Sequence, residues 1–465
     1  MKGNQVEMDR KSFLMLGGGS ALCLGMGCAS RPMPATGRLP SAGEYDLVVA
    51  GGSATGVCAA VTAARAGLKV ALVEYNAFFG GMATAGLVPV WHSLWSTDGK
   101  EQVIRGLTDE IERMLVARGE ARLTDPTNPH AGCYFNVAAM QLALDELVAN
   151  EPNVTPYLKC HLVGAEKSDA AHLSSVVVED KSGRRALRAK WFIDATGDAD
   201  LTALAGFETW KLPKAEMQAH SLCAIFANVP RIREAHPRFS FDAVMRTAFK
   251  EGLFKHVFQW QAPVVGAPDL VFVSATRVAA CDPTVAEDLT RGLFEARRQM
   301  RVLIDLVNRD YPMPEDGRLA LVSLGSDFGV RESRHIRARY RVTARDVLYG
   351  RHFDDCIGRG TYRVDIHEGA GITFRYLDGR EERQVVSPEG KVSYAVGRWR
   401  DDPGPYPTHY EIPFSALVPE KAANLLCAGR MIDCEREAYG ALRVMVNCNQ
   451  MGEAAARAVV NALRC

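Results

Sequence analysis

Residues 46–74, DLVVAGGSATGVCAAVTAARAGLKVALVE, are arranged as a strand, a tight turn, a helix and a second strand. The first apolar run ends at Gly51-Gly52, an Ala-rich helical segment stops at Gly67, and the second apolar run closes at Glu74. Such a turn brings backbone N–H groups to a pyrophosphate, and the helix N-terminus adds its positive end. An acidic residue about 20 positions beyond the first glycine suits a ribose hydroxyl. The stretch therefore predicts a βαβ unit that binds a dinucleotide.

The turn departs from the G-x-G-x-x-G pattern at one position. It reads GGSATG over residues 51–56, so Ser53 stands where the second glycine is expected. A small serine still admits a phosphate, and the alternative is an ordinary buried βαβ crossover. The segments further along the chain favour the dinucleotide interpretation.

Length and composition are those of a soluble protein with a large core. The 465 residues suffice for two or three domains, and 47% of them are apolar. The formal net charge is zero, which gives no long-range attraction to nucleic acid, so no nucleic-acid partner is expected. The 12 cysteines contain no C-x-x-C pair, so the usual spacing for zinc or iron–sulfur ligation is missing and no metal is expected.

The first 45 residues have the character of an export signal and linker. Basic residues precede an uncharged run over 12–30, which is rich in glycine and a poor stable membrane span for the mature chain. The segment resembles a twin-arginine signal with Lys11 in place of the second arginine. Cys28 is a candidate for lipidation, although Leu24 lies one position too far from it. We expect a periplasmic or envelope-associated protein; an uncleaved, disordered tail is the alternative.

A second glycine-rich stretch, FFGGMATAGL over 78–87, follows Glu74. The pair Gly80-Gly81 lets the backbone approach a flat ring closely, and Thr84 offers a hydroxyl there. A flexible surface loop is the alternative, but the apolar character of the stretch favours a buried loop beside a ligand.

Two later strands also end in glycine. The segment 190–198, KWFIDATGD, predicts a strand that ends at Gly197 and Asp198, where sites in doubly wound folds lie, although Asp198 also suits a helix cap. The segment 424–433, NLLCAGRMID, predicts a buried strand that stops at glycine before an Ala-rich helix over 450–463. Both ends of the chain then share one sheet.

This arrangement predicts an α/β fold, a Rossmann-like cofactor domain with an inserted α+β substrate domain. The cofactor domain would comprise residues 46–205 and 420–465, and the substrate domain residues 206–419. The interface between the two would form the pocket.

At these residues the chain resembles the FAD-dependent oxidoreductase family of the glutathione-reductase-like flavoproteins, with a flavin module similar to that of the heterodisulfide reductase flavoprotein subunit. The likeness covers about 46–463, and no single stretch is specific alone. Beyond the first turn it is carried by GGMAT (80–84), ATGD (195–198), FGVRESR (328–334), DD (354–355), VDIH (364–367), NLLCAGR (424–430), RVM (443–445) and GEAA (452–455).

The resemblance implies FAD as cofactor and a role for each matching residue. The pyrophosphate would be held by Gly51, Gly52, Ser53 and Gly56. The adenosine ribose would meet Glu74, and the adenine would meet the backbone of Leu162 in a strand over 157–163. Flavin contacts would come from Gly80, Gly81, Met82 and Thr84, and ribityl or ring contacts from Gly429, Arg430 and Asp433.

The chain departs from the family pattern after Arg430. Relatives tend to place Ser and later His where this chain has Asp433 and Arg436, and this departure allows a different substrate or a lost activity. No cluster-binding cysteines accompany the flavin module, which argues against an electron relay of the heterodisulfide reductase kind.

Flavin chemistry needs a base, an anion clamp and an apolar wall from the protein. Arg331 and Arg334 are candidate clamps, with a solvated basic helix face over 331–341 as the alternative. Asp365 and His367 alternate along a predicted strand, so a carboxylate would hold an imidazole poised near neutral pH. A structural histidine is the alternative there.

The sequence favours an enzyme that oxidises a small organic substrate at a CH–OH or CH–NH centre by hydride transfer to FAD. An NAD-dependent dehydrogenase is an alternative that the βαβ unit alone would permit, and an electron-carrying flavoprotein is another. The substrate and the electron acceptor are not named by the sequence.

Overall fold

The structure is a computed structural model that describes residues 39–128, 131–368, 371–402 and 404–465. The predicted export signal, with Lys11 and Cys28, lies outside the described residues. Residues Pro40–Cys465 form one compact unit. Among the helices of the described residues, none is long and apolar enough to cross a membrane.

The described part of the chain contains 22 strands and ten α-helices. The strands are β1 (Ser41–Ala50), β2 (Val70–Val73), β3 (Val90–His92), β4 (Ala121–Leu123), β5 (Gly132–Phe135), β6 (Val154–Tyr157), β7 (His161–Lys167), β8 (Leu173–Asp180), β9 (Gly183–Asp194), β10 (Thr209–Trp210), β11 (Cys223–Ala227), β12 (Trp260–Val264), β13 (Ala267–Ser274), β14 (Ala320–Leu324), β15 (His335–Ile336), β16 (Cys356–Gly360), β17 (Val364–Glu368), β18 (Gly371–Arg375), β19 (Arg380–Val386), β20 (Val392–Arg398), β21 (Tyr410–Pro413) and β22 (Leu425–Cys427). The helices are α1 (Ala54–Arg65), α2 (Leu107–Ala117), α3 (Val137–Ala149), α4 (Asp200–Leu204), α5 (Val229–Ala235), α6 (Phe241–Lys250), α7 (Ala286–Asp310), α8 (Ala344–Leu348), α9 (Arg436–Leu442) and α10 (Met445–Arg464).

The main sheet has seven strands, in the order β6-β2-β1-β9-β8-β7, with β22 also paired to β9. β1 runs parallel to β2 and β9, so Val49 lies between Leu72 and Ile193. β22 pairs in parallel with the end of β9, at Leu426 and Ile193. The last strand of the chain thus completes the sheet that the first one begins, and the predicted α/β class is confirmed. The domain boundaries at 45, 205 and 419 stay predictions.

Burial on both faces explains the apolar run of β1. Its last four residues, 47–50, are each 0% exposed, as in parallel strands covered on both sides by helices or other layers. α1 follows directly, and its small alanines let α10 approach closely. Gly452 lies beside Thr55, and Arg464 donates to the Ala66 carbonyl (3.2 Å), so α1 and α10 run parallel. Both helices therefore begin at the same edge of the sheet.

The helix predicted over 450–463 begins earlier than expected, at Met445. The segment 445–449, MVNCN, contains two asparagines, which are weak helix formers, and tertiary packing overrides that preference. Asn447 and Asn449 are both fully buried in the structure.

A Gly452→Ala substitution tests the packing of α1 on α10. A Cβ at Gly452 would lie 2.3 Å from the carbonyl oxygen of Thr55, so the helices would have to separate. Overpacking costs roughly 1–3 kcal/mol, so we expect the free energy of unfolding to fall by about 2 kcal/mol in denaturant titrations. Gly397→Ala is the control, because a Cβ there meets nothing within 4 Å. Equal stability of both variants would contradict the described helix contact.

The described middle of the chain adds two four-stranded antiparallel sheets, besides the antiparallel pairs β10-β15 and β16-β21. One has the order β12-β13-β11-β14, and the other has the order β17-β18-β19-β20. The loops after β13 and β14, together with strand β17, carry the polar side chains described next. Residues 331–334 form a loop ahead of β15, so the alternative of a basic helix face over 331–341 is wrong.

Candidate functional site

The turn after β1 requires glycine for steric reasons. Gly51 has φ of +100°, and a Cβ there would lie 2.4 Å from the Ala195 carbonyl oxygen. A Cβ at Gly56 would lie 1.8 Å from the Gly51 carbonyl oxygen. The backbone of this turn is therefore packed against the end of β9, as a phosphate-binding turn needs to be.

Ser53 joins this turn to the second glycine stretch. It forms a parallel bridge with Gly80, whose N–H donates to the Gly52 carbonyl (2.9 Å). A Cβ at Gly81 would lie 3.0 Å from the Ser53 Cβ. The α1 N-terminus has no side-chain cap among the described residues, so its first N–H groups stay available for an anion.

Glu74 closes β2 beneath the turn. One carboxylate oxygen accepts the Gly52 N–H (2.7 Å) and the other accepts the Asn76 N–H (2.8 Å). Burial raises the pKa of Glu74. Each carboxylate oxygen keeps a second lone pair that can accept a ribose hydroxyl. The ribose contact itself stays a prediction.

Gly197 and Asp198 meet Arg430 although more than 200 positions separate them. Arg430 Nη2 donates to Asp198 Oδ1 (2.5 Å), and a Cβ at Gly197 would lie 2.6 Å from Arg430 Nη1. The N-cap of α4 is Ala199, so the helix-cap alternative for Asp198 is wrong. The carboxyl ends of β9 and β22 thus form one polar edge, and Gly429 (φ +127°) makes the turn that brings Arg430 there.

Arg334 contacts the polar edge at the ends of β9 and β22. Its Nε donates to the Asp198 carbonyl (2.8 Å), and its guanidinium also pairs with Asp200. Burial and neighbouring carboxylates raise the pKa of Asp200 to about 6. Arg334 therefore lies at the cofactor edge, and its predicted role as a clamp stays a prediction.

The start of α10 holds buried polar atoms that lack partners. Both amide atoms of Asn449, and Oδ1 of Asn447, have no hydrogen-bond partner within the described ranges. Because Gly452 lies beside Thr55, Asn449 lies one turn earlier, level with the glycine turn before α1. Burying polar atoms without hydrogen-bond partners costs free energy. A ligand with polar edges that bonds to these amide atoms fits at this place.

Two of the predicted flavin contacts, Met82 and Thr84, differ in their exposure. The Thr84 hydroxyl is buried and donates to the Phe79 carbonyl (2.7 Å), so it closes its own loop rather than offering a free donor. Met82 is half-buried in the same loop. Its contact with a flavin stays a prediction.

The predicted adenine strand over 157–163 is in fact two strands. β6 ends at Tyr157 and β7 begins at His161, with Lys159 at φ +53° between them. The Cys160 N–H donates to the Glu74 carbonyl (3.0 Å), which brings this loop to the end of β2. Leu162 follows in β7, and its adenine contact stays a prediction.

Both carboxylate oxygens of Asp433 accept hydrogen bonds from other segments of the chain. Its carboxylate accepts the Trp210 indole N–H (3.0 Å) and the Ala338 N–H (3.0 Å), and the residue is 1% exposed. The side chain ties β10 to the segment after β15. Both oxygens thus serve the fold, and the predicted ribityl or ring contact of Asp433 stays a prediction.

The predicted alternation of Asp365 and His367 is confirmed in β17. His367 Nε2 lies 3.2 Å from Asp365 Oδ1, and Arg277 Nη1 lies 3.4 Å from His367 Nδ1. Arg443 Nη2 lies 3.2 Å from Asp365 Oδ2. Arg331 is close enough for its charge to act on the imidazole. The structure thus brings Arg331 and His367 together.

The expectation that His367 titrates near neutral pH is wrong. Burial and the positive charge of Arg331 lower its pKa to about 3. Burial alone would raise the pKa of Asp365, but the contact with His367 and the permanent charges of Arg443 and Arg363 hold it well below its usual range. The pair is therefore a neutral imidazole beside an ionised carboxylate at neutral pH.

Sequence reasoning missed Arg277, Arg443 and Asn449. Arg443 lies in the stretch RVM that carries the family resemblance, so the sequence could have indicated it. Arg277 lies in a loop outside all of those stretches, so no sequence pattern pointed to it. Burial raises the pKa of the Cys448 thiol, and the charges of Arg430 and Arg443 both oppose that rise, so both arginines lie near this cysteine. The polar edge and the histidine cluster are therefore neighbours.

The described residues contain no group of three or more His, Cys, Asp or Glu side chains placed to hold a metal ion.

The parallel strands β6, β2, β1, β9 and β22, with a glycine turn, two helix N-termini and a polar strand edge, define a Rossmann-type dinucleotide-binding protein. The chain belongs to the FAD dependent oxidoreductase family, whose model matches residues 46–465. It is therefore an FAD-dependent enzyme, and the flavin of FAD fits the orphan amides of α10. No curated protein sequence matches the chain.

Solved structures similar to this chain are flavoenzymes of several kinds. A geranylgeranyl bacteriochlorophyll reductase-like protein from Thermoplasma acidophilum is 13% identical, over 90% of this chain and 79% of that one, with a TM-score of 0.46. The p-nitrophenol 4-monooxygenase of Pseudomonas putida is 14% identical, over 64% and 69%, with a TM-score of 0.35. OxyS anhydrotetracycline hydroxylase of Streptomyces rimosus is 15% identical, over 64% and 54%, with a TM-score of 0.35. We draw nothing about substrate or reaction from such distant likenesses.

Proposed function

We propose that this enzyme oxidises a small organic substrate at a CH–OH or CH–NH centre. Bound FAD supplies the acceptor for the hydride that leaves the carbon. The proton that leaves the oxygen or nitrogen goes to His367. The observation that supports this proposal is the buried Asp365–His367 pair beside the start of α10, next to the edge where FAD fits.

The contacts of His367 indicate which nitrogen accepts the proton. Arginine only donates, so Nδ1, which faces Arg277, carries the lone pair. The hydrogen is then on Nε2, which lies 3.2 Å from Asp365 Oδ1. The 3.4 Å contact with Arg277 is long for a hydrogen bond, so a substrate hydroxyl can replace it. Asp365 fixes the tautomer and stabilises the imidazolium that forms.

A substrate screen tests the proposed oxidation. The purified, FAD-loaded protein is mixed without oxygen with sugars, polyols, amino acids and hydroxy acids, and bleaching of the flavin absorbance is followed. We expect at least one class to bleach it. Bleaching by an artificial electron donor alone would instead show an electron carrier for a partner.

The pH profile of kcat/KM tests the state of His367 in the free enzyme. Burial and Arg331 disfavour the imidazolium, so the lone pair is available down to about pH 3. We therefore expect no loss of kcat/KM attributable to this group between about pH 8 and pH 5. A decline with an apparent pKa near 6.5 that disappears in His367→Gln would contradict the described environment.

We further propose that the protein is exported in folded form, with its cofactor already loaded. The basis is the basic and then uncharged sequence of the first 45 residues, including Lys11. Cell fractionation should place the full chain in the periplasmic or envelope fraction and a variant without residues 9–30 in the cytoplasm. The same distribution for both would reject export.

A further inference from the structure

The Arg331 guanidinium is held by neutral groups. Its Nη1 donates to the Ala219 carbonyl (2.6 Å) and to the Ser221 hydroxyl (2.8 Å). In the described part of the chain it makes no salt bridge with a carboxylate. Burial and Arg443 lower its pKa to about 9, which still leaves it charged at neutral pH. Burying a cation without a counter-ion costs free energy of desolvation. A negatively charged ligand beside Arg331 would offset that cost.

The carboxylates near Arg331 are engaged by other side chains. Arg277, Arg331 and Arg443 share this region with one carboxylate in contact, Asp365, and a second nearby, Glu332. Asp365 lies 3.2 Å from both Arg443 and His367, so neither carboxylate forms an ion pair with Arg331 among the described residues, and a monoanion would neutralise its charge. Of the other charges close by, Arg436 pairs with Glu368 (3.5 Å), and the charge of Arg363 acts on Asp365 as well.

An apolar ring lies between the cation and the imidazole. The Phe258 ring centre is 5.5 Å from the His367 ring centre and 5.5 Å from the Arg331 guanidinium carbon. A short carbon skeleton can pack on this ring while its charged end reaches Arg331. The planar fork of a guanidinium matches the two oxygens of a carboxylate.

We propose that the substrate is a small organic monocarboxylate whose carboxylate group binds Arg331, with its reacting carbon beside His367. The proposal rests on the oxidation proposed above. The carbon loses a hydride to FAD, and the attached oxygen or nitrogen loses its proton to His367. A hydroxy or amino acid thereby becomes the keto or imino acid, and two electrons pass to FAD.

Binding of non-reacting probes tests the proposal on the FAD-loaded enzyme. Propionate, neutral propionamide and inorganic phosphate are titrated in turn by calorimetry. We expect propionate to bind about tenfold or more tightly than either of the other two, because only it combines one charge with an apolar tail. Equal binding of propionamide, or tighter binding of phosphate, would overturn the proposal.

Variants locate the binding at Arg331. Arg331→Met should weaken propionate binding about tenfold or more, Arg331→Lys should weaken it less, and Arg339→Met, an exposed neighbour in the same segment, should not change it. Should Arg331→Met fail to fold, Arg331→Lys and the probe comparison carry the test. Loss of flavin from Arg331→Met with unchanged propionate binding would assign Arg331 to the cofactor instead.

The two proposals can fail separately. Propionate binding without bleaching by any hydroxy or amino acid would support the carboxylate site and reject the oxidation. Bleaching by a neutral alcohol, without propionate binding, would support the oxidation and reject the carboxylate site.

Discussion

Ser53→Arg is expected to yield a colourless protein that no longer retains FAD. Ser53 lies against Gly80 and Gly81, so a long side chain has no room on that side and must enter the turn where the pyrophosphate fits. Its bulk would keep the phosphates from the N–H groups that begin α1. The FAD content per chain of the purified variant measures the effect.

A matched substitution distinguishes steric blocking of the pyrophosphate from general damage to the fold. Ser53→Gly restores the glycine of the G-x-G-x-x-G pattern, and the serine caps no helix within the described structure, so flavin should be kept. Melting temperatures of both variants would show whether the turn itself is damaged. A yellow, fully loaded Ser53→Arg protein would contradict the placement of the pyrophosphate.

His367→Ala is expected to keep FAD and lose turnover by about 100-fold or more. The histidine lies in β17, away from the glycine turn, so its removal should leave the flavin absorbance unchanged. Its lone pair at Nδ1 is the proposed proton acceptor, and the alanine leaves Asp365 without the group that it orients. Stopped-flow reduction of the flavin by a substrate identified in the screen measures the loss.

Two comparisons show whether the loss is chemical. His236→Ala removes a ring whose Nε2 contacts the Pro312 carbonyl far from β17, and should leave turnover unchanged. Added imidazole should restore part of the turnover of His367→Ala, which a merely structural defect would not allow. Unchanged turnover in His367→Ala would assign the residue to structure.

The fold was accessible from the sequence because its signals are local. Each signal is set by residues that are adjacent in the sequence: the glycine turn at 51–56, the strand ends at 194 and 427, and the alternation at 365–367. Their meeting in one sheet follows from the rule that sites lie at the carboxyl ends of parallel strands. Family resemblance named the same cofactor.

The electrostatics of the site could not be predicted in this way. The low pKa of His367 depends on burial and on Arg331, which comes from another segment, and no spacing encodes that meeting. Arg334, three positions from Arg331, instead contacts Asp198 at the cofactor edge, because the loop before β15 turns the two side chains to different partners. Likewise Asp433 serves Trp210, a contact between distant segments.

Identification of the chromophore released by denaturing the purified protein tests the central claim most directly. The account predicts about one FAD per chain when the cofactor is not covalently attached, released together with the yellow colour. A colourless protein that is protected from heat by NAD, and not by FAD, would contradict it.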